Sequence, residues 1–189
     1  MPPRFDGAEH FRDDGLACVK VKKKWGCIDR QGTLVIPPRF ERIGLFHDDG
    51  IAYVREKWKF GFIDRQGNLV IPPRFDSINL GCFAANGLAA VQENGKWGYI
   101  DRQCRFVIPP RFDNASGFED ALPFVGFGND SLALVTENGE RKYIDQNGQT
   151  VLFADPLCGE DVLKNARGEI VWPPELVGQV CAKQEDKQK

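Results

Sequence analysis

The chain has 189 residues, 42% of them hydrophobic, enough to bury one sizeable core. Its formal net charge of −2 gives no global pull towards nucleic acid or acidic membranes, and no apolar run reaches the roughly 18 to 20 residues of a membrane-spanning helix. The N-terminus, MPPRFDGAEHF, lacks the apolar stretch of a signal peptide, so a cytoplasmic protein with no nucleic-acid or membrane partner is expected.

Three boxes recur in phase from one end to the other. PPRF begins at Pro2, Pro37, Pro72 and Pro109, with periods of 35, 35 and 37. A small-apolar-Ala box follows each, at Gly15-Leu16-Ala17, Gly50-Ile51-Ala52, Gly87-Leu88-Ala89 and Ser131-Leu132-Ala133. An Ile-Asp box comes next, at Ile28-Asp29, Ile63-Asp64, Ile100-Asp101 and Ile144-Asp145. Because all three keep step, the repeat is a folding unit. The units run about 2–36, 37–71, 72–108 and 109–152, with a degenerate C-terminal cap over 153–181 and a charged, disordered tail over 182–189. Together they form a single repeat domain.

In the first unit a hairpin turns at Lys22-Lys23, which sets Cys18 opposite Cys27 in a non-hydrogen-bonded pair. Such pairs are close enough to bridge, although two thiols are expected in a reducing compartment. Otherwise the six cysteines read as small apolar fillers, Cys27 aligning with Phe62, Tyr99 and Tyr143. In the second unit the turn falls at Lys57-Trp58, where the tryptophan occupies a glycine position and has no packing reason to be there. The third unit is the clearest. Asn94-Gly95 demands positive φ at both residues and sits between two segments rich in β-formers. It sets Val91 opposite Gly98, Ala90 opposite Tyr99 and Gln92 opposite Trp97. Gly98 is expected to leave a gap for a neighbouring unit, and Pro109-Pro110 to end the third strand.

A two-residue insertion lies around Leu80-Gly81-Cys82, and a larger one, ALPFVGFGND, follows Phe118. A loop so apolar either folds back on the core, as expected in a cytosolic protein, or forms a contact surface through Leu122, Phe124 and Phe127. Beyond Leu152, the stretch Leu163 to Leu176 keeps only the second turn, third strand and Pro-Pro of a unit.

Lys24-Trp25-Gly26 and Lys96-Trp97-Gly98, each followed by an Ile-Asp box and then Val-Ile-Pro-Pro, resemble the bacterial WG repeat, also called the KWG repeat. The resemblance covers about four fifths of the chain. Phe60 replaces the tryptophan in the second unit, Arg141-Lys142 replaces Trp-Gly in the fourth, and Cys104 replaces a turn glycine. The family, mostly of unknown function, is similar in its aromatic hairpins to choline-type cell-wall-binding repeats. The resemblance thus implies a binding array.

The expected fold is all-β: tandem three-stranded antiparallel meanders stacked as an open solenoid or superhelix, with a small propeller as the alternative. Its core is expected from Trp25, Phe60 and Trp97, with Ile28, Ile63, Ile100 and Ile144. The recurring aspartates read as turn openers. Arg39, Arg74 and Arg111 read as partners of the acid two residues on. His10 and His47 flank their units' phenylalanines on opposite sides and read as exposed loop residues. With no metal-ligand spacing, phosphate loop or catalytic constellation, no enzyme and no cofactor are expected. The expected function is a scaffold for protein–protein interaction, with glycan binding as the alternative. Trp58 and Trp172 are the candidate contact residues besides the insertion.

Overall fold

The hairpins follow from their turns. Two left-handed residues make a type I′ turn, whose twist matches that of the flanking strands. Such pairs stand at Lys22 and Lys23 (φ 47° and 68°), Lys57 and Trp58 (51° and 65°), Asn94 and Gly95 (53° and 78°), and Asn138 and Gly139 (55° and 82°). The register is the expected one: Val91 faces Gly98 and Gln92 faces Trp97, while in the first hairpin Cys18 faces Cys27 and Lys20 faces Trp25.

The computed structural model describes residues 5–47, 49–79, 83–84, 86–103, 105–118, 132–157 and 160–172. Among these there is no helix. The first sheet runs β1 (Gly7–Ala8), β2 (Ala17–Val21), β3 (Lys24–Ile28), β4 (Leu34–Phe40). The second runs β5 (Arg42–Ile43), β6 (Ala52–Glu56), β7 (Lys59–Ile63), β8 (Leu69–Phe75), after which comes β9 (Ser77–Ile78). The third meander comprises β10 (Ala89–Glu93), β11 (Lys96–Ile100) and β12 (Phe106–Phe112). The last sheet has six strands in chain order: β13 (Asn114–Ala115), β14 (Ala133–Glu137), β15 (Glu140–Ile144), β16 (Thr150–Leu157), β17 (Glu160–Lys164), β18 (Ile170–Trp172). Each three-stranded meander is therefore present, and a two-residue strand, β1, β5, β9 or β13, precedes its hairpin in each of the four repeats.

The second turn of each repeat is built by its aspartate. Asp29 Oδ1 accepts the N–H groups of Gln31 (3.0 Å) and Thr33 (2.8 Å). Asp64, Asp101 and Asp145 do the same with the residues two and four further on. Asn165 repeats the pattern with Arg167 and Glu169, so the C-terminal partial repeat keeps this turn intact.

The prolines do not end the third strand. β12 continues through Pro109 and Pro110 to Phe112, and Trp97 pairs with Phe112 while Tyr99 pairs with Ile108. Two positions on β11 thus span four on β12, and the surplus residues are the two prolines. They carry no N–H to leave unpaired, and β4, β8 and β12 each lie at a sheet edge, where proline is tolerated. The gap left by the glycine is filled by the third strand of its own meander: a Cβ on Gly98 would stand 2.6 Å from the Ile108 carbonyl oxygen and 2.7 Å from the Pro110 nitrogen. Gly26 and Gly61 meet the same obstacle. In the fourth repeat Arg141, Lys142 and Tyr143 pair with Ala154, Phe153 and Leu152 in unbroken register. There the Pro-Pro pair is absent, the strand runs straight, and Lys142 stands where the others need glycine.

The chain divides into two compact units, Met1–Cys82 and Phe83–Lys189. In the first, Cys18, Cys27, Ile36 and Phe40 of one sheet pack with Ala52, Val54 and Ile63 of the next. In the second, Tyr99, Ile108 and Phe112 pack with Ala133, Val135 and Ile144. Phe5 meets the corresponding face of the first repeat, Ala17, Val19 and Ile28. Phe40 and Phe112 are thus wedges between one meander and the next. Phe40, Phe75 and Phe112 are fully buried, each burial being worth roughly 2 to 3 kcal/mol. The adjacent arginine ties the same seam: Arg39 donates to the Gly67 carbonyl at 3.2 Å and Arg111 to that of Gly148 at 2.8 Å. Buried Tyr99 donates its hydroxyl to the Ser116 carbonyl at 2.7 Å, and burial pushes that phenol far above its ordinary range.

Cys18 and Cys27 form a disulfide, with Cα atoms 4.0 Å apart. The C-terminal partial repeat joins the fourth sheet edgewise, with Phe153 opposite Lys164 and Ala154 opposite Leu163. The insertion holding Leu122, Phe124 and Phe127, the first PPRF box from Pro2 to Arg4, Cys104 and the charged tail lie outside the described residues.

Candidate functional site

The second hairpin carries the feature that packing does not explain. Its turn holds Trp58 at φ 65°, where the equivalent residues of the other hairpins are Lys23, Gly95 and Gly139. A bulky side chain in this region is a conformational outlier, and non-glycine residues there cost on the order of 1 to 2 kcal/mol. The turn is held from below by Glu41, at the bend between β4 and β5. Its carboxylate accepts the Lys57 N–H at 3.1 Å and the Trp58 N–H at 3.3 Å, and lies 3.4 Å from Arg55 Nε and 3.7 Å from Lys24 Nζ. Desolvation alone would raise this carboxyl; the two N–H groups and the Lys24 and Arg55 charges outweigh it and hold Glu41 below its usual range.

Above the turn, the Arg55 guanidinium stacks on the Trp58 ring with its carbon 4.8 Å from the ring centroid. Trp58 is nevertheless 75% exposed, more than any other large hydrophobic residue among those described. The other recurring aromatics behave differently. Trp25 is half-buried with Lys20 Nζ 5.7 Å over its ring, as the register predicts, and Trp97 is half-buried against the core, while Phe60 is half-buried beside Tyr53. Ile28, Ile63, Ile100 and Ile144 are buried. Trp172 ends β18.

Among the described residues Arg39 and Arg111 form no ion pair with Glu41 and Asp113, the acids two residues on. Arg39, Arg74 and Arg111 lie over Phe40, Phe75 and Phe112 at 4.5, 4.8 and 4.7 Å. The acids instead take the lysine that opens the Lys-aromatic-Gly box: Lys24 with Glu41, Lys59 with Asp76, Lys96 with Asp113. The chain bends at each acid, which stands in chain order between the hairpin that carries its lysine and the next. Asp6 reaches the Lys22 N–H at 2.6 Å and Asp113 the Asn138 N–H at 2.8 Å.

A second locus lies in the first unit, between the first and second repeats. A shallow cleft of about 530 Å³ is lined by Glu9, His10, Arg12, Arg42, His47 and Tyr53, together with Ile43, Gly44 and Leu45. The two histidines, read from sequence as unrelated loop residues, share this cleft. Arg12 is taken up by Glu9 and by the Gly44 carbonyl at 3.2 Å. The side chains of His10, Arg42 and His47 make no hydrogen bond or ion pair among the described residues. A depression of similar size in the second unit is lined by Arg141, Phe153, Lys164 and Asn165. Among the described residues no group of three or more His, Cys, Asp or Glu stands where it would hold a metal ion.

A family described as WG containing repeat matches the chain at residues 2–25, 25–57, 60–97 and 97–140. Comparison with curated proteins finds no match. Among solved structures, one described as "Streptogramin B lyase structure" is similar at a TM-score of 0.39 and 14% identity, over 90% of this chain and 69% of that one. A likeness of that size carries no argument about function.

Proposed function

The chain belongs to the WG repeat family, and from that premise we propose that it is a non-catalytic scaffold whose ligand is another protein, with Trp58 as a contact residue. One observation carries the reading. Trp58 is 75% exposed in a backbone conformation that favours glycine, so its side chain is kept at a cost in stability and returns nothing to the core. Tryptophan and arginine are the residues that most often dominate the energy of protein interfaces, and here Arg55 is stacked on Trp58. The pair is pre-ordered, since Glu41 holds both the turn and the guanidinium, which lowers the entropy lost on binding.

Affinity capture from native lysate, read by mass spectrometry, tests this. Wild type should retain a stoichiometric protein that Trp58→Gly does not, glycine being the residue the turn accepts. Retention of the same protein by both variants would remove Trp58 from the contact surface. Capture of no protein, with a glycan array positive instead, would overturn the scaffold reading in favour of carbohydrate.

A further inference from the structure

We propose that the cleft between the first and second repeats is a carboxylate-binding subsite, which takes an acidic side chain of the partner beside the group that covers Trp58. The proposal rests on the scaffold reading for the partner's class, and its chemistry rests on the cleft.

Three observations converge. The first is an imbalance of donors. Glu9 and Arg12 satisfy each other, which leaves the Arg42 guanidinium and the His10 and His47 imidazoles as donors without acceptors among the described residues. Tyr53 adds an aromatic wall. A guanidinium offers two parallel N–H groups to one carboxylate, and imidazole N–H groups add a third and fourth bond. The second is size. A cleft of about 530 Å³, open on one side, lies within the range of small-ligand sites and admits a Glu or Asp side chain with its flanking backbone. The third is position. Arg42 on β5 is the direct cross-strand partner of Arg55 on β6, and Arg55 is the residue stacked on Trp58. Cross-strand partners share a face. Trp58, Arg55 and Arg42 therefore form a continuous row that leads into the cleft, with exposed Leu45 at the rim.

The cleft belongs to one seam. His10 precedes Phe11 and His47 follows Phe46, so stacking the second repeat on the first brings the imidazoles to one opening. At the corresponding sequence positions of the third and fourth repeats stand Cys82, before Phe83, and Glu119, after Phe118. One acidic group per chain is expected, where a periodic array would take several.

Fluorescence anisotropy of a labelled hexaglutamate peptide, with the full chain in low salt, tests the proposal, and a labelled hexaserine peptide serves as control. Because the chain carries a net charge of −2, general attraction does not favour the acidic probe. Wild type should bind hexaglutamate and not hexaserine. Arg42→Ala should weaken binding about tenfold, the worth of one charge-assisted pair. The double variant His10→Ala/His47→Ala should weaken it severalfold, while Arg167→Ala, an exposed arginine of the second unit, should leave it unchanged. Near-ultraviolet circular dichroism identical to wild type certifies each fold. No binding by wild type, equal binding by Arg42→Ala, or an equal loss in Arg167→Ala would overturn the proposal. Loss of hexaglutamate binding in Arg42→Ala together with capture of a protein that Trp58→Gly retains would support the subsite while removing Trp58 from the contact, so the two readings fail separately.

Discussion

Gly98 lies so close to Ile108 that a Cβ added to it would stand 2.6 Å from the Ile108 carbonyl oxygen, inside any real contact. That approach explains two sequence features together. The two prolines after Ile108 are the surplus residues of the third strand, and the glycine opposite them makes room for the backbone they displace. Gly98→Ala should therefore destabilise the protein by about 3 kcal/mol, as expected of overpacking against backbone. Urea denaturation checks this. Lys142→Ala, at the equivalent position of the fourth repeat where the strand runs straight, should cost far less.

The strain at Trp58 makes an opposite prediction. Trp58→Gly removes a bulky residue from φ 65° and should raise stability by about 1 kcal/mol, since glycine bears no steric penalty there. The measurement is the urea midpoint. A variant that is more stable and has lost its partner separates binding from folding.

The turn aspartates act through one acceptor oxygen. Asp29→Ala leaves the Gln31 and Thr33 N–H groups without it and should cost about 1 to 2 kcal/mol. Asp29→Asn should cost much less, because Asn165 makes the same two bonds in the C-terminal partial repeat. Paired thermal melts distinguish the two.

Stability should fall in acid for an identifiable reason. Glu41 is held low against its own desolvation by the Trp58 and Lys57 N–H groups and nearby cations; Asp101 chiefly by the Arg105 N–H; Asp113 chiefly by the Lys96 ammonium. A carboxyl whose folded value is depressed contributes stability above its unfolded value, and that contribution disappears as pH falls through the folded value. The melting temperature should thus be steady above the usual values of 4.5 for glutamate and 3.8 for aspartate, and drop below them. Glu41→Gln should start lower and drop less. A drop identical to wild type would show that Glu41 does not share in it.

Much of the fold was legible in the sequence because its causes are local. Asn94-Gly95 names its own turn, and everything from Leu88 to Asp101 takes its register from it; three further copies in phase leave little freedom. The Pro-Pro pair misled because a residue that cannot donate suggests the end of a strand. Yet on an edge strand with a glycine opposite, it marks a bulge through which pairing continues. Gly98 was assigned a neighbour in another unit, while its true neighbours are ten to twelve residues further along its own meander. The exposure of Trp58 was readable, since the turn position left no place for a core side chain. The cleft was not: His10 and His47 come together only once one repeat stacks on another, and Arg42 and Tyr53 carry no motif that announces them.

The central claim is that the chain binds a protein partner through the second hairpin turn. Hydrogen exchange of the chain, alone and with its captured partner, tests it most directly. The account predicts new protection confined to 55–59 and 42–47, the Trp58 turn and the rim of the cleft. Protection elsewhere, with these segments exchanging as in the free chain, would contradict it.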